Sequence, residues 1–183
     1  MEQIIIVSGP PGAGKTRVAE ALCERFDRML HVEVDDLRHW VKAGYRRPWE
    51  DDRQAREQRL LAVRNACAIA RESIALRYAV VISDIATAEA VPQYREALAG
   101  IGVPVHLVTL LPSVEVALRH DPASAHPLMH DRVRLLHAEL TRDTAAGLIP
   151  GAVLDTSDDL DARATADRVQ DAVARGLALL VAG

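Results

Sequence analysis

Gly9, Gly14, Lys15 and Thr16 stand in the spacing GxxxxGK[ST], within the stretch SGPPGAGKT. This is the pattern of a phosphate-binding loop, and each residue type has a physical reason to be there. Glycine lets the backbone curl so that the N–H groups of Gly9, Pro10–Pro11 excepted, Gly12, Ala13 and Gly14 turn toward phosphate oxygens. A helix that starts at the loop presents the positive end of its dipole to the same anion. Lys15 would reach the transferred phosphate, and the Thr16 hydroxyl would ligate magnesium. An apolar run, IIIVS, precedes the loop, and an amphipathic one, TRVAEALCERF, follows it, which is the context the motif requires.

A phosphate loop alone does not define a phosphotransferase, because switches and motors carry it too. The chain has no NKxD pattern, so guanine recognition of the switch type is disfavoured and ATP is expected over GTP. The second apolar run ends in HVEVDDLR, which sets Asp35 and Asp36 at the carboxyl edge of a parallel sheet, where ligands of such folds bind. A hydroxyl that attacks a phosphate must lose a proton, and a carboxylate within reach can take it. One aspartate can cap the helix beginning LRHWV; Asp36 is preferred for that role, which leaves Asp35 as the candidate base.

In order, the phosphate loop, DDLR, VVISD and an LR followed by a polar loop resemble the small P-loop kinase group that includes polynucleotide 5′-kinase, chloramphenicol phosphotransferase and the zeta toxins. The resemblance implies that Asp35 is the general base, that Arg38 contacts the acceptor, and that Asp84 sits beside the magnesium and the acceptor. It also implies a short lid, at about residues 119–132, with arginines that neutralise transition-state charge. Arg119 matches the first of these; the next falls within PASAH and is missing, while Arg132 and Arg134 follow in uncertain register. Relatives place the loop DTSDD near the adenine, although the same residues could start a helix. His120, His126 and His130 populate the lid, and Pro127 argues for a loop there rather than for a helical metal pair.

On the acceptor side, HWVKAGYRRPWEDD concentrates Trp40, Tyr45 and Trp49 in a chain that is only 3% aromatic. Trp40 and Trp49 suggest a ring-bearing acceptor held by stacking and by Arg46 or Arg47; packing of the tryptophans onto the core is the plain alternative.

The elements that must position these groups follow from alternating strand-length and helix-length apolar patterns, the sign of an α/β fold with a parallel sheet. Strands are expected at Gln3 to Ser8, His31 to Val34, Ala79 to Ser83, Val103 to Leu111 and Ala152 to Asp155. Leu60, Val63, Cys67, Ala70 and Ile74 mark one apolar face of a long helix, and Arg53, Arg56, Arg64 and Arg71 a solvated one. With 183 residues and no linker, one three-layer P-loop domain over 1–183 is expected, its five-stranded parallel sheet flanked by helices. Cys23 and Cys67 lack metal or redox spacing and read as buried thiols. No targeting or membrane-spanning segment is evident, so a cytoplasmic monomer or homodimer is expected. A net charge of −4 disfavours long nucleic acid as a partner. Together these readings predict an ATP- and Mg²⁺-dependent kinase acting on a hydroxyl of a small-molecule acceptor. The alternatives are a regulatory or resistance-related nucleotide-binding protein with little phosphotransfer, and a polynucleotide 5′-hydroxyl kinase.

Overall fold

A computed structural model describes residues 2–120 and 127–183, with 127–129 as backbone alone. Its centre is the strand β1, Ile4–Ser8, buried along its whole length. A strand hidden on both faces reads as a near-continuous apolar run, which Ile4–Val7 supply, and the buried Ser8 hydroxyl at its end accepts from the Ala86 N–H. The chain then forms α1 (Lys15–Cys23), β2 (Met29–Glu33), α2 (Val34–Arg38), α3 (Arg53–Ala75), β3 (Ala79–Ser83), α4 (Ala90–Ala97) and β4 (Val105–Leu110). Thereafter come α5 (Val114–His120), α6 (Pro127–Ala145), β5 (Ala152–Leu154), α7 (Ala162–Ala174) and β6 (Leu179–Val181).

Five strands run parallel in the order β2-β3-β1-β4-β5. The chain leaves β1 toward one side and, after β3, returns to the other, so the strand order reverses at β1 and opens a crevice at its carboxyl end. The sheet divides the core into two layers. On one face Ile4, Ile6, Ile82 and Leu107 pack against Val63, Ala66, Cys67 and Ala70 of α3, Tyr94 of α4 and Leu140 of α6. On the other, Ile5, Val7 and Leu110 meet Val18 and Leu22 of α1 and Ala166, Val169 and Ala172 of α7. Burying each large aliphatic side chain contributes about 1.5–3 kcal/mol, so the central strands anchor everything attached to their ends. Among the described residues no helix is long and apolar enough to cross a membrane.

The sheet departs from the expected five strands by one addition. Leu179–Val181, part of the final apolar run, pairs antiparallel with the start of β4, Val105 opposite Val181. β5 pairs only with Val108–Leu110, which leaves the first half of that edge open for β6 to satisfy. Three residues are too few for periodicity to reveal a strand. β2 also ends at Glu33 rather than Val34, because its partner β3 stops at Ser83, opposite Glu33. Of the helix α3 stripe, Val63, Cys67 and Ala70 are buried, and Leu60 and Ile74 are half-buried.

Cys67 is 1% exposed, and burial pushes its thiol up to about 12, whereas Cys23 is half-buried. In the native protein a maleimide is expected to label Cys23 first and Cys67 only on unfolding, as read by peptide mass spectrometry. Equal labelling rates without denaturant would contradict the packing of α3 on β1 and β3.

Candidate nucleotide and acceptor site

The loop between β1 and α1 is shaped by positions where a side chain would not fit. Gly12 has φ of 78°, and a Cβ there would lie 1.9 Å from the carbonyl oxygen of Ala117 in α5. Gly9, at φ 149°, would meet the Leu110 carbonyl oxygen of β4 at 2.4 Å. The loop is therefore clasped between β4 and α5, and α1 begins at Lys15 with its N-terminus toward the crevice.

Within this loop the Lys15 ammonium donates to the carbonyl oxygens of Gly9 (2.9 Å) and Pro10 (3.1 Å). Burial lowers its pKa, opposed by the negative charges of Asp35, Glu33 and Asp84, with Asp35 the largest of the three. Three carboxylates thus surround the position from which the lysine would meet an anion. The Thr16 hydroxyl donates to Glu33 Oε2 at 2.7 Å. Glu33 was not singled out in the sequence, although it occupies the last position of β2, two residues before Asp35, on the same edge.

Neither aspartate of HVEVDDLR caps a helix. Glu33 occupies the cap position of α2 without a side-chain bond, and Asp35 and Asp36 lie in the first turn, both exposed. The capping role preferred for Asp36 is thereby corrected: the helix starts three residues earlier than the pattern LRHWV indicated, at Val34. Asp35 is ion-paired with Arg38, one turn later on α2. Arg38 also donates through Nη2 to Asp84 Oδ1 at 2.9 Å. Asp84, 3% exposed at the end of β3, accepts at its other oxygen from the Tyr94 hydroxyl at 2.8 Å. The carboxylate in contact with Thr16 is thus Glu33, while both oxygens of Asp84 are engaged by Arg38 and Tyr94.

Two cavities flank this cluster. The first, of about 300 Å³, lies between the phosphate loop at Gly12 and Gly14, Val116 of α5, and Thr156 and Asp159 of the loop after β5. That loop, DTSDD, borders the cavity beside the phosphate loop through Thr156 and Asp159 but does not start a helix: α7 begins at Ala162, capped by Asp161, which accepts from the Ala164 N–H at 2.8 Å. The second cavity, of about 350 Å³, is bounded by Trp49, Arg59, Thr87, Glu89, Arg132 and Leu136. A smaller pouch of about 50 Å³ shares Arg59, Thr87 and Glu89 with it and reaches Arg38 and Asp84.

The aromatic residues divide. Trp49 lines the second cavity with the Arg132 guanidinium 4.0 Å from its ring centroid and that of Arg47 at 5.6 Å. Trp40 is 64% exposed and borders neither this cavity nor the pouch. Tyr45 stacks on His39, and Arg46 pairs with Asp52. Arg59, which the sequence reading passed over, donates to the Pro48 and Glu50 carbonyl oxygens and so holds the Trp49 segment on α3. In the lid, Arg119 is exposed on the last turn of α5, while residues 121–126, His126 among them, lie outside the described residues. Pro127 does not break a helix here but opens α6, where a missing N–H costs nothing. His120 is exposed and His130 half-buried, and α6 turns Arg132 onto Trp49 while Arg134 pairs with Asp131.

A parallel sheet with its phosphate loop at the switch point defines a P-loop nucleotide-binding protein. The chain belongs to the AAA domain family, whose model matches residues 4–135. Its fold is that of the small P-loop kinases. Shikimate kinase from Acinetobacter baumannii superposes with a TM-score of 0.64 at 21% identity, covering 96% of this chain and 94% of that one. A gluconokinase from Sinorhizobium meliloti 1021 gives 0.64 at 22% identity, covering 96% and 93%. The tunicamycin resistance protein of Deinococcus radiodurans gives 0.63 at 21% identity, covering 98% of both chains. In sequence, the chain is 27% identical to a tRNA dimethylallyltransferase of Anaeromyxobacter sp. (strain Fw109-5), spanning 96% of itself but 60% of that protein's length.

Gly12→Ala is expected to strain the loop by at least about 1 kcal/mol through its left-handed backbone and to push α5 away. Thermal melting should drop, and binding of a fluorescent ATP analogue should be lost; retained binding would show that the loop does not need this clasp.

Proposed function

We propose that the protein is a kinase that transfers the γ-phosphoryl group of ATP to a hydroxyl of a small molecule. The reading rests on Asp35, ion-paired with Arg38 in the first turn after β2, on the sheet edge where Glu33 meets Thr16 of the phosphate loop. The adenine end of ATP would occupy the cavity between Val116 and Thr156, and the acceptor the cavity lined by Trp49 and Arg132, which opens through the pouch toward Arg38.

Asp35 accepts the proton of the acceptor hydroxyl as its oxygen bonds to the γ-phosphorus and the bond to the departing ADP oxygen breaks. Loop N–H groups and Lys15 hold the phosphates. Lys15 must leave the Gly9 and Pro10 carbonyl oxygens to do so, and the stronger charge-assisted bond to phosphate favours that exchange. Thr16 with Glu33 would hold magnesium, in preference to Asp84, because a hydroxyl and a carboxylate already in contact form the hard oxygen set that ion takes. When bound, it supplies neutralisation of phosphate charge. Arg119, on the last turn of α5, and Arg132, over Trp49, would offset transition-state charge.

The cavity proposed for the acceptor sets Trp49, Leu135 and Leu136 among charged groups, Glu50, Arg59, Arg132 and Glu139, and the pouch beside it adds Arg38 and Asp84. That lining favours a polar, hydroxyl-bearing small molecule. Because Arg132 and Arg47 already lie over Trp49, stacking of an acceptor ring is a weaker part of the reading. The tRNA named for the 27% identical relative, and a polynucleotide acceptor, fit less well with a net charge of −4.

The test is ADP release from ATP across nucleosides, sugars and hydroxylated antibiotics, with Lys15→Ala as control. Asp35→Asn is expected to leave ATP affinity nearly intact and to lower turnover by about 10²-fold or more. Unchanged turnover would remove Asp35 from the base role, and tight ATP binding without release on any acceptor would favour the regulatory reading.

A further inference from the structure

Tyr94 takes no part in the site just described. It sits on α4, wholly buried in the core layer between α3 and the sheet. Its hydroxyl nevertheless begins a continuous chain of polar contacts that ends at the surface: Tyr94 to Asp84 at 2.8 Å, Asp84 to Arg38 at 2.9 Å, and Arg38 to Asp35.

The direction of each bond follows from charge. Burial, and then the Asp84 charge, raises the Tyr94 pKa well above its ordinary value, so the phenol keeps its proton and donates. Burial alone would lower the pKa of Arg38, but Asp84 and Asp35 outweigh it and the net shift is upward, so the guanidinium stays charged. Asp84 is 3% exposed, and a carboxylate so buried needs a donor on each oxygen. Tyr94 supplies one and Arg38 the other.

This arrangement solves a positioning problem. The Asp35 side chain is 57% exposed, and among the described residues it is held only by Arg38. Arginine has a long stem with many rotamers, so it fixes Asp35 only if its own head is fixed. Its Nε is buried and makes no hydrogen bond with the described residues, so the two terminal nitrogens carry the whole restraint. We infer that Tyr94 is a positioning residue for phosphoryl transfer, locking Asp84 so that Arg38 holds Asp35 at the phosphate loop. The inference rests on the proposed role of Asp35.

Tyr94→Phe removes one oxygen and keeps the ring. The first readout is the ¹⁵N-detected side-chain N–H of Arg38, assigned by its loss in Arg38→Lys. Loss of one buried hydrogen bond, near the equivalent of about tenfold in an equilibrium, should speed exchange of this hydrogen about tenfold. Leu98→Ala, which opens the same core layer without touching the chain of contacts, should leave it unchanged after correction for stability. The second readout is ADP release: kcat should fall about tenfold in Tyr94→Phe while KM for ATP holds. Unaltered Arg38 exchange in folded Tyr94→Phe, equal acceleration in Leu98→Ala, or an unchanged kcat would each overturn the inference.

If Tyr94→Phe does not fold, 3-fluorotyrosine incorporation reads the same contact in the intact chain. The buried ¹⁹F resonance should move on Arg38→Lys while those of half-buried Tyr45 and exposed Tyr78 stay, and an unmoved Tyr94 signal overturns the link. Should Asp35→Asn leave turnover unchanged, the base reading fails by itself, and Arg38 exchange then decides whether Tyr94 anchors the arginine.

Discussion

The site depends on keeping charges of both signs together at the exit of a buried, mostly apolar strand. Glu33, Asp35 and Asp84 stand against Lys15 and Arg38, and neither the buried Asp84 nor the largely buried Arg38 could be placed there alone at acceptable cost. The neighbouring main chain meets part of that cost, through the Gly9 and Pro10 carbonyl oxygens on Lys15. Tyr94 meets another part from inside the core. Because Ile4–Val7 are fully buried between two helical layers, the loop that follows has little freedom to relax away from this arrangement.

The cluster carries more negative than positive charge before any nucleotide arrives. A polyphosphate would therefore be repelled by the carboxylates unless the backbone amides, the helix dipole of α1 and the Thr16–Glu33 pair compensate. The same excess explains why a single lysine and a single arginine are each shared among several acceptors. Arg38 serves two carboxylates at once, so movement of either is transmitted to the other.

The acceptor side is built differently, from side chains that reach across between elements. Arg59 of α3 pins the Pro48–Glu50 segment, and this in turn sets Trp49 against Arg132 of α6. Three segments distant in the chain thus meet in one cavity, whereas the phosphate side is assembled almost entirely from residues 9–16 and the ends of two strands.

The amino-acid sequence by itself determined the loop, the five parallel strands, the amphipathic face of α3 and the position of Asp84 just after β3, because glycine spacing and apolar runs act locally. Tertiary structure alone decided the rest. Glu33 became the partner of Thr16 through the register of β2 on β3, which no local pattern encodes. β6 formed because β5 left half an edge of β4 unpaired. Trp40 and Trp49 look alike in sequence, yet of the two Trp49 lines the cavity beside Arg132, since Arg59 and α6 reach it and not Trp40. No local pattern singles out Tyr94; its meaning lies in a carboxylate ten residues earlier, brought within 2.8 Å only when α4 packs against the sheet. Contacts of that kind depend on distance in space, which a linear pattern of residue types does not carry.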